Sequence, residues 1–138
     1  MTLLHLLDPN DSGLIAALRN EGLPAPGAGR YYSASENGAV CGYVGLEGEG
    51  RDQLLRSLVV LADLKARGLG SRMLAAVETI SRDQGGARLH LLTTTAEPFF
   101  ARRGFVAADR ETAPVAIRQT REFADICPAS AAYLTRDL

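Results

Sequence analysis

Apolar and polar positions fall in short blocks whose period changes several times along the chain, and each change marks an element. Residues 2–7 form an apolar run of strand length. Asp8-Pro9-Asn10-Asp11-Ser12 interrupts it and offers N-cap oxygens, so the spacing of Leu14, Ala17 and Leu18 predicts a helix. Gly22, Pro24 and Pro26 end that helix and open a loop, 24–30, that reads as a substrate-facing connection. Strand patterns follow at 31–34, 40–46 and 54–60, the first two joined by Asn37-Gly38, a pair suited to the positive φ of a type I′ turn. An antiparallel meander is expected. Apolar positions Leu69, Met73, Val77 and Ile80 then predict a helix over 70–83, with Arg72, Glu78 and Arg82 pointing elsewhere, closed by Gly85-Gly86. Residues 89–94 read as a strand parallel to the one before the helix. A short helix is expected over 96–103, with capping-box spacing from Thr94 to Glu97, Pro98 in the first turn and Gly104 as its stop. Residues 105–108 and 113–118 read as closing strands, and 128–138 carry no clear pattern.

Composition narrows the picture. A chain of 138 residues, 46% hydrophobic and 22% charged, has material for one core, so one domain over 1–138 is expected. A net charge of -1 argues against gripping nucleic acid by bulk charge. The sequence shows no apolar run near the roughly 20 residues that cross a bilayer and no secretory start, so it reads as cytoplasmic, without a membrane partner. Cys41 and Cys127 make no disulfide framework and lack the spacing of a zinc site; no metal is expected, and both read as packed thiols. Fourteen arginines stand against a single lysine, Lys65.

Chemistry concentrates between Leu58 and Ser71: a buried strand end, a short loop containing Lys65, Arg67, Gly68 and Gly70, then a helix start. Glycines there remove the Cβ atoms that would hold an anion away from backbone N–H groups, and the helix dipole favours negative charge at the same place. The pattern predicts a phosphate or diphosphate cradle. It is not the dinucleotide fingerprint, because position 73 is Met, and no Gly-Lys-Ser/Thr follows as a triphosphate loop requires.

Lys65-Ala66-Arg67-Gly68-Leu69-Gly70 resembles the Arg/Gln-x-x-Gly-x-Gly/Ala signature of the GNAT family of acetyl-CoA-dependent N-acetyltransferases, with Lys in the first place. Leu91-Leu92-Thr93-Thr94-Thr95-Ala96-Glu97-Pro98-Phe99-Phe100-Ala101-Arg102-Arg103-Gly104-Phe105 is similar to the GNAT segment that ends in an aromatic pair, a cation and Gly-Phe. Its threonine run is similar to the acetyltransferase domain of N-acetylglutamate synthases. With Arg110, Ala113-Pro114, Thr120, Phe123 and 127–131, the chain most resembles the small acetyltransferases associated with bacterial arsenic-resistance operons. The resemblance spans about residues 54–133. It implies an α/β (α+β) GNAT fold: a twisted mixed sheet with an antiparallel N-terminal meander, splayed central strands and flanking helices. It further implies that acetyl-CoA pairs with the backbone of Leu58 and Val60 and that amides from Arg67 to Ser71 hold the diphosphate. Phe99 and Phe100 read as core or pocket-wall residues, Phe100 equally as either and so a candidate to line the coenzyme pocket; CoA would be the product, and homodimers are common in the family.

Acetyl transfer from a thioester needs a neutral amine, donors on the developing oxyanion and a proton for the thiolate. The family's backbone donor would lie near Leu58 or Val59. Many relatives place a Tyr acid on the short helix, where this chain has Phe99 and Phe100; candidate replacements are Thr93, Thr94, Thr95, Tyr31, Tyr32, water, or no acid at all. Thr95 also suits a helix cap, and Glu97 and His90 have sufficient structural explanations. Arg56 and Arg118 are candidate forks for an acceptor carboxylate. The expected acceptor is a small amino acid or amino-acid-like amine, an organoarsenical amino acid among the candidates; the rivals are a peptide acceptor and a catalytically silent CoA-binding module.

Overall fold

The fold is described from a computed structural model for residues 2–65, 68–126 and 130–138. Its described strands are β1 (Leu3–Leu7), β2 (Arg30–Glu36), β3 (Ala39–Glu47), β4 (Asp52–Val60), β5 (Arg88–Thr93), β6 (Val106–Ala107) and β7 (Ala132–Asp137). The described α-helices are α1 (Ser12–Asn20), α2 (Leu69–Asp83), α3 (Glu97–Ala101) and α4 (Val115–Arg118). The strands make a seven-stranded mixed sheet in the order β1-β2-β3-β4-β5-β7-β6. Two compact units divide the chain, Met1–Glu47 with Leu55–Ile80 and Gly48–Leu54 with Ser81–Leu138.

The first unit follows its local signals. Asp11 caps α1, its carboxylate accepting the Leu14 N–H at 3.0 Å, and Gly22 at φ 67 ends the chain's helical course. Asn37 (φ 54) and Gly38 (φ 81) form the expected tight turn, bringing Glu36 opposite Ala39, with an irregularity in the ladder between Ala34 and Ser35. β1 adds antiparallel to β2. Leu14, Ala17 and Leu18 of α1 pack with Tyr31, Tyr43 and Val59 in one apolar cluster. β3 and β4 approach closely because β3 lacks side chains where they would intrude. A Cβ at Gly45 would stand 2.9 Å from both the Arg56 Cγ and the Tyr31 ring, and one at Gly42 would collide with the Val59 carbonyl oxygen.

The second unit pairs the start of β4 parallel to β5, with Asp52, Gln53 and Leu54 opposite Arg88, Leu89 and His90, and β5 antiparallel to β7. Gln53 is buried and satisfied: its amide N–H donates to the Gly50 carbonyl at 3.0 Å, and its oxygen accepts from the Ser81 hydroxyl at 2.8 Å. Leu54, Ala113, Ile117, Phe123 and Tyr133 form the apolar cluster here.

Three local expectations need correction. Residues 115–118 are helical, not strand: Ala113 and Ile117 are buried four apart while Val115 between them is 55% exposed, which is helical and not alternating spacing. The strand expected at 105–108 shrinks to Val106–Ala107. Glu78 does not face away with Arg72 and Arg82; it is buried on α2. The patternless C-terminal stretch supplies β7, paired along its length with β5.

Candidate active site

The coenzyme candidates on β4 and α2 lie in the first unit. β4 does not run as a regular strand to its end, because Ser57 has φ 59. A non-glycine residue in this region costs of order 1 kcal/mol and persists where the surroundings enforce it. Before it, Gln53 to Arg56 are buried in succession; Ser57 and Leu58 are both half-buried. The parallel ladder with β5 ends at Leu54, three residues before this kink. Leu58 and Val60 are therefore on a stretch of β4 beyond the Asp52–Leu54 ladder, with half-buried side chains.

After β4, the Leu61 N–H donates to the Cys41 carbonyl at 2.9 Å and a single 3-10 turn, Ala62–Leu64, leads to Lys65. Lys65 is exposed and pairs with Glu21 at 2.8 Å. Arg67 lies outside the described residues. Gly68 has φ 73, and its carbonyl accepts the Arg72 N–H at 3.3 Å, so the helical ladder of α2 begins there. Gly68 thus meets a conformational demand that L-residues resist. Leu69 is buried against the unit, while Gly70 and Ser71 are half-buried in the first turn, where helix amides converge on an anion.

Beside this loop, Glu36 accepts two hydrogen bonds from Arg72, from Nε at 2.6 Å and from Nη2 at 3.1 Å, and a third from the Thr2 hydroxyl. The Arg72 guanidinium first, and the Thr2 hydroxyl next, hold the Glu36 carboxyl down to a pKa of about 2. No sequence signal marked this pair.

Arg56 is not an open fork. Its side chain is 2% exposed, Nη1 pairs with Glu47 at 2.7 Å, and the same nitrogen donates to the Ala28 carbonyl at 3.3 Å. Nε is buried without a hydrogen-bond partner among the described residues. Its guanidinium stands 5.9 Å from the Tyr31 ring centroid, and the Tyr31 hydroxyl accepts the Gly27 N–H at 3.1 Å. Arg56 and Tyr31 thus anchor the 24–30 loop from beneath. Tyr32 is buried in β2.

The remaining candidates, Cys41 apart, belong to the second unit. Thr95 is exposed ahead of α3 and does not cap it; the Ala96 N–H instead bonds to the Thr93 hydroxyl at 3.0 Å. Phe100 is buried edge-to-face against Phe99 and Phe105, with centroids 5.0 and 5.4 Å away, which is core packing. Arg118 is exposed at the end of α4. His90 is fully buried, with Nδ1 2.7 Å from the Tyr133 hydroxyl and Nε2 2.8 Å from Asp52. Burial pushes its pKa down, against the opposing pull of Asp52. The neutral ring fits both contacts: the phenol donates to Nδ1 and Nε2–H donates to the carboxylate. Cys41 is buried and burial raises its pKa; Cys127 lies outside the described residues. Among the described residues there is no group of three or more His, Cys, Asp or Glu arranged to hold a metal, and no helix is long and apolar enough to cross a membrane.

Comparison with known proteins adds an independent line. A family model described as an acetyltransferase (GNAT) domain matches residues 27–107. Among solved structures, N-acetylglutamate synthase from Neisseria gonorrhoeae, complexed with coenzyme A and N-acetyl-glutamate, superposes with a TM-score of 0.77 at 22% identity. That match covers 100% of this chain and 35% of the other, so the chain spans about a third of the synthase's length. Rv2747 from Mycobacterium tuberculosis, in complex with CoA and NLQ, gives a TM-score of 0.76 at 16% identity and 99% coverage of both chains. The IAA acetyltransferase from Bacillus cereus gives 0.69 at 15% identity, with 100% of each chain covered. No curated protein sequence matches.

Proposed function

Because this chain belongs to the GNAT acetyltransferase family, we propose that it moves the acetyl group of acetyl-CoA to the amine of a small amino acid or amino-acid-like compound. The observation that carries the coenzyme half is the left-handed Gly68 opening the fifteen-residue α2 directly after β4, which provides first-turn amides for a diphosphate where a Cβ would be strained. The residues fit the group: Gly68, Leu69, Gly70 and Ser71 would hold the diphosphate, with Arg67 as a further candidate, and Leu58 and Val60 would offer main-chain groups to the pantetheine arm. Bound acetyl-CoA supplies an activated acetyl thioester. The chain supplies orientation. Ser57 turns the peptide units ahead of Leu58, and the N–H of Leu58 or Val59 is the donor assigned to the carbonyl oxygen as it gains charge.

The acceptor reading is supported by Arg56, a buried cation beneath the 24–30 loop whose Nε is still uncommitted. Beside the Glu47 pair, Nε would offer a carboxylate on the acceptor a single charge-assisted hydrogen bond. Thr95 and Tyr32 remain the hydroxyls assigned to proton handling; neither Phe99 nor Phe100 can serve. This last fact also favours one alternative, a module that binds CoA without turnover.

Calorimetry with CoA and thiol release from acetyl-CoA across a panel of amino acids, an organoarsenical amino acid and N-terminal peptides test the proposal together. Micromolar coenzyme binding with turnover on a small amino acid is the expected result. Binding without turnover on any amine would replace it with the silent module, and turnover on peptides alone would replace the acceptor class.

A further inference from the structure

The coenzyme loop has a charged neighbour that its motif does not contain. Arg72 lies on the first turns of α2, and its Nη1 is 3.3 Å from the point a Cβ on Gly68 would occupy. Glu36, at the end of β2, takes Nε and Nη2 of the same guanidinium in a bidentate pair. That arrangement uses one edge of the fork and leaves Nη1 on the side of Gly68 for a further acceptor. The Thr2 hydroxyl, donating to Glu36, fixes the carboxylate in turn. Glu36 stays ionised well into acid, so the pair is intact at neutral pH, where the coenzyme's phosphates are charged.

We propose that Arg72 binds a phosphate oxygen of the coenzyme through Nη1 and that Glu36 is its positioning residue, holding the guanidinium plane against the Gly68 loop. This rests on the coenzyme reading above and adds a side-chain contact to it. The two partners have opposite charge, which gives the idea a sharp sign. By charge alone, removing the Glu36 carboxylate would strengthen attraction for a phosphate. If Glu36 positions Arg72, removing it weakens binding instead.

The experiment is calorimetry on the full chain with CoA and dephospho-CoA at several salt concentrations, comparing wild type, Arg72→Met, Arg72→Lys and Glu36→Gln, each checked for unchanged thermal unfolding. Arg72→Met should weaken CoA about tenfold, the scale of one charge-assisted hydrogen bond, and flatten the salt dependence. Arg72→Lys should recover only part of the loss, because an ammonium cannot serve Glu36 and a phosphate in one plane. Glu36→Gln should weaken CoA about threefold, less than deletion of the donor itself. An equal loss toward dephospho-CoA would identify the diphosphate as the partner, and a loss confined to CoA would identify the 3′-phosphate. Wild-type binding with Arg72→Met within twofold of it, or tighter binding by Glu36→Gln, would overturn the pair's role while leaving the coenzyme reading intact. Absence of CoA binding by the wild type would overturn both.

Discussion

Replacing Arg56 by Met tests whether the pair beneath the 24–30 loop holds the first unit together. The pair is 2.7 Å long, with side chains 2% and 13% exposed, so water contributes little to its screening. Removing the cation strands Glu47, which keeps only its slight exposure, and releases the Ala28 carbonyl that Nη1 also serves. Breaking a buried pair from one side costs about 3–5 kcal/mol, and the residual exposure of Glu47 places this case near 3 kcal/mol. For a chain of this length that lowers Tm by about 10 °C. Glu47→Gln should cost less, about 1–2 kcal/mol, because an amide oxygen can still accept from Nη1. The double variant Arg56→Met/Glu47→Leu should recover most of the loss, since neither charge is then left buried alone. Urea unfolding of the three variants and the wild type closes the cycle. A single Arg56→Met within 0.5 kcal/mol of wild type, by the usual bound of about 0.5 kcal/mol for changes that touch nothing, would refute the reasoning. Strictly additive losses in the double variant would refute it too.

Gly68→Glu should weaken CoA binding by about a hundredfold or more in calorimetry, adding both strain at φ 73 and a negative charge at the proposed anion site. Unchanged affinity would remove the loop from the site. His90 should make the protein acid-sensitive. Its folded-state pKa lies below the ordinary 6.5, so its neutral form contributes stability that is complete above 6.5 and lost as pH falls toward the lowered value. Urea midpoints between pH 7.5 and 5 should fall more steeply for the wild type than for His90→Gln. Parallel slopes would show that His90 is not the titrating group.

Local signals carried the meander, α1, α2 and β5 because their determinants lie within a few residues: the Asn37-Gly38 turn, the Asp11 cap and the spacing of Leu69, Met73 and Val77. The C-terminal third was harder to read. β7 gains its strand character from pairing with β5 along its length, and no local period in 132–137 announces that partner. α4 is a single turn, too short for helical spacing to outweigh a strand reading. At the candidate site, the glycine loop was legible because glycine reports backbone conformation directly. The kink at Ser57 was not, since serine carries no such message. Arg56 was identified as a cation of interest, but its commitment to Glu47 depends on β3 lying beside β4. Glu36 and Arg72 meet across 36 residues of sequence, beyond any local rule.

The bare stretch of β3 has a consequence for anyone altering acceptor preference. Gly42 and Gly45 touch no ligand group assigned here, yet they set how near β4 can run: one admits the Val59 carbonyl and the Met73 thioether, the other the stem of Arg56 and the Tyr31 ring. A library that randomises β3 would displace the neighbouring backbone before it tuned recognition. Diversity placed in the 24–30 loop, whose grip on the body runs through Gly27, Ala28 and the residues beneath them, leaves that spacing intact.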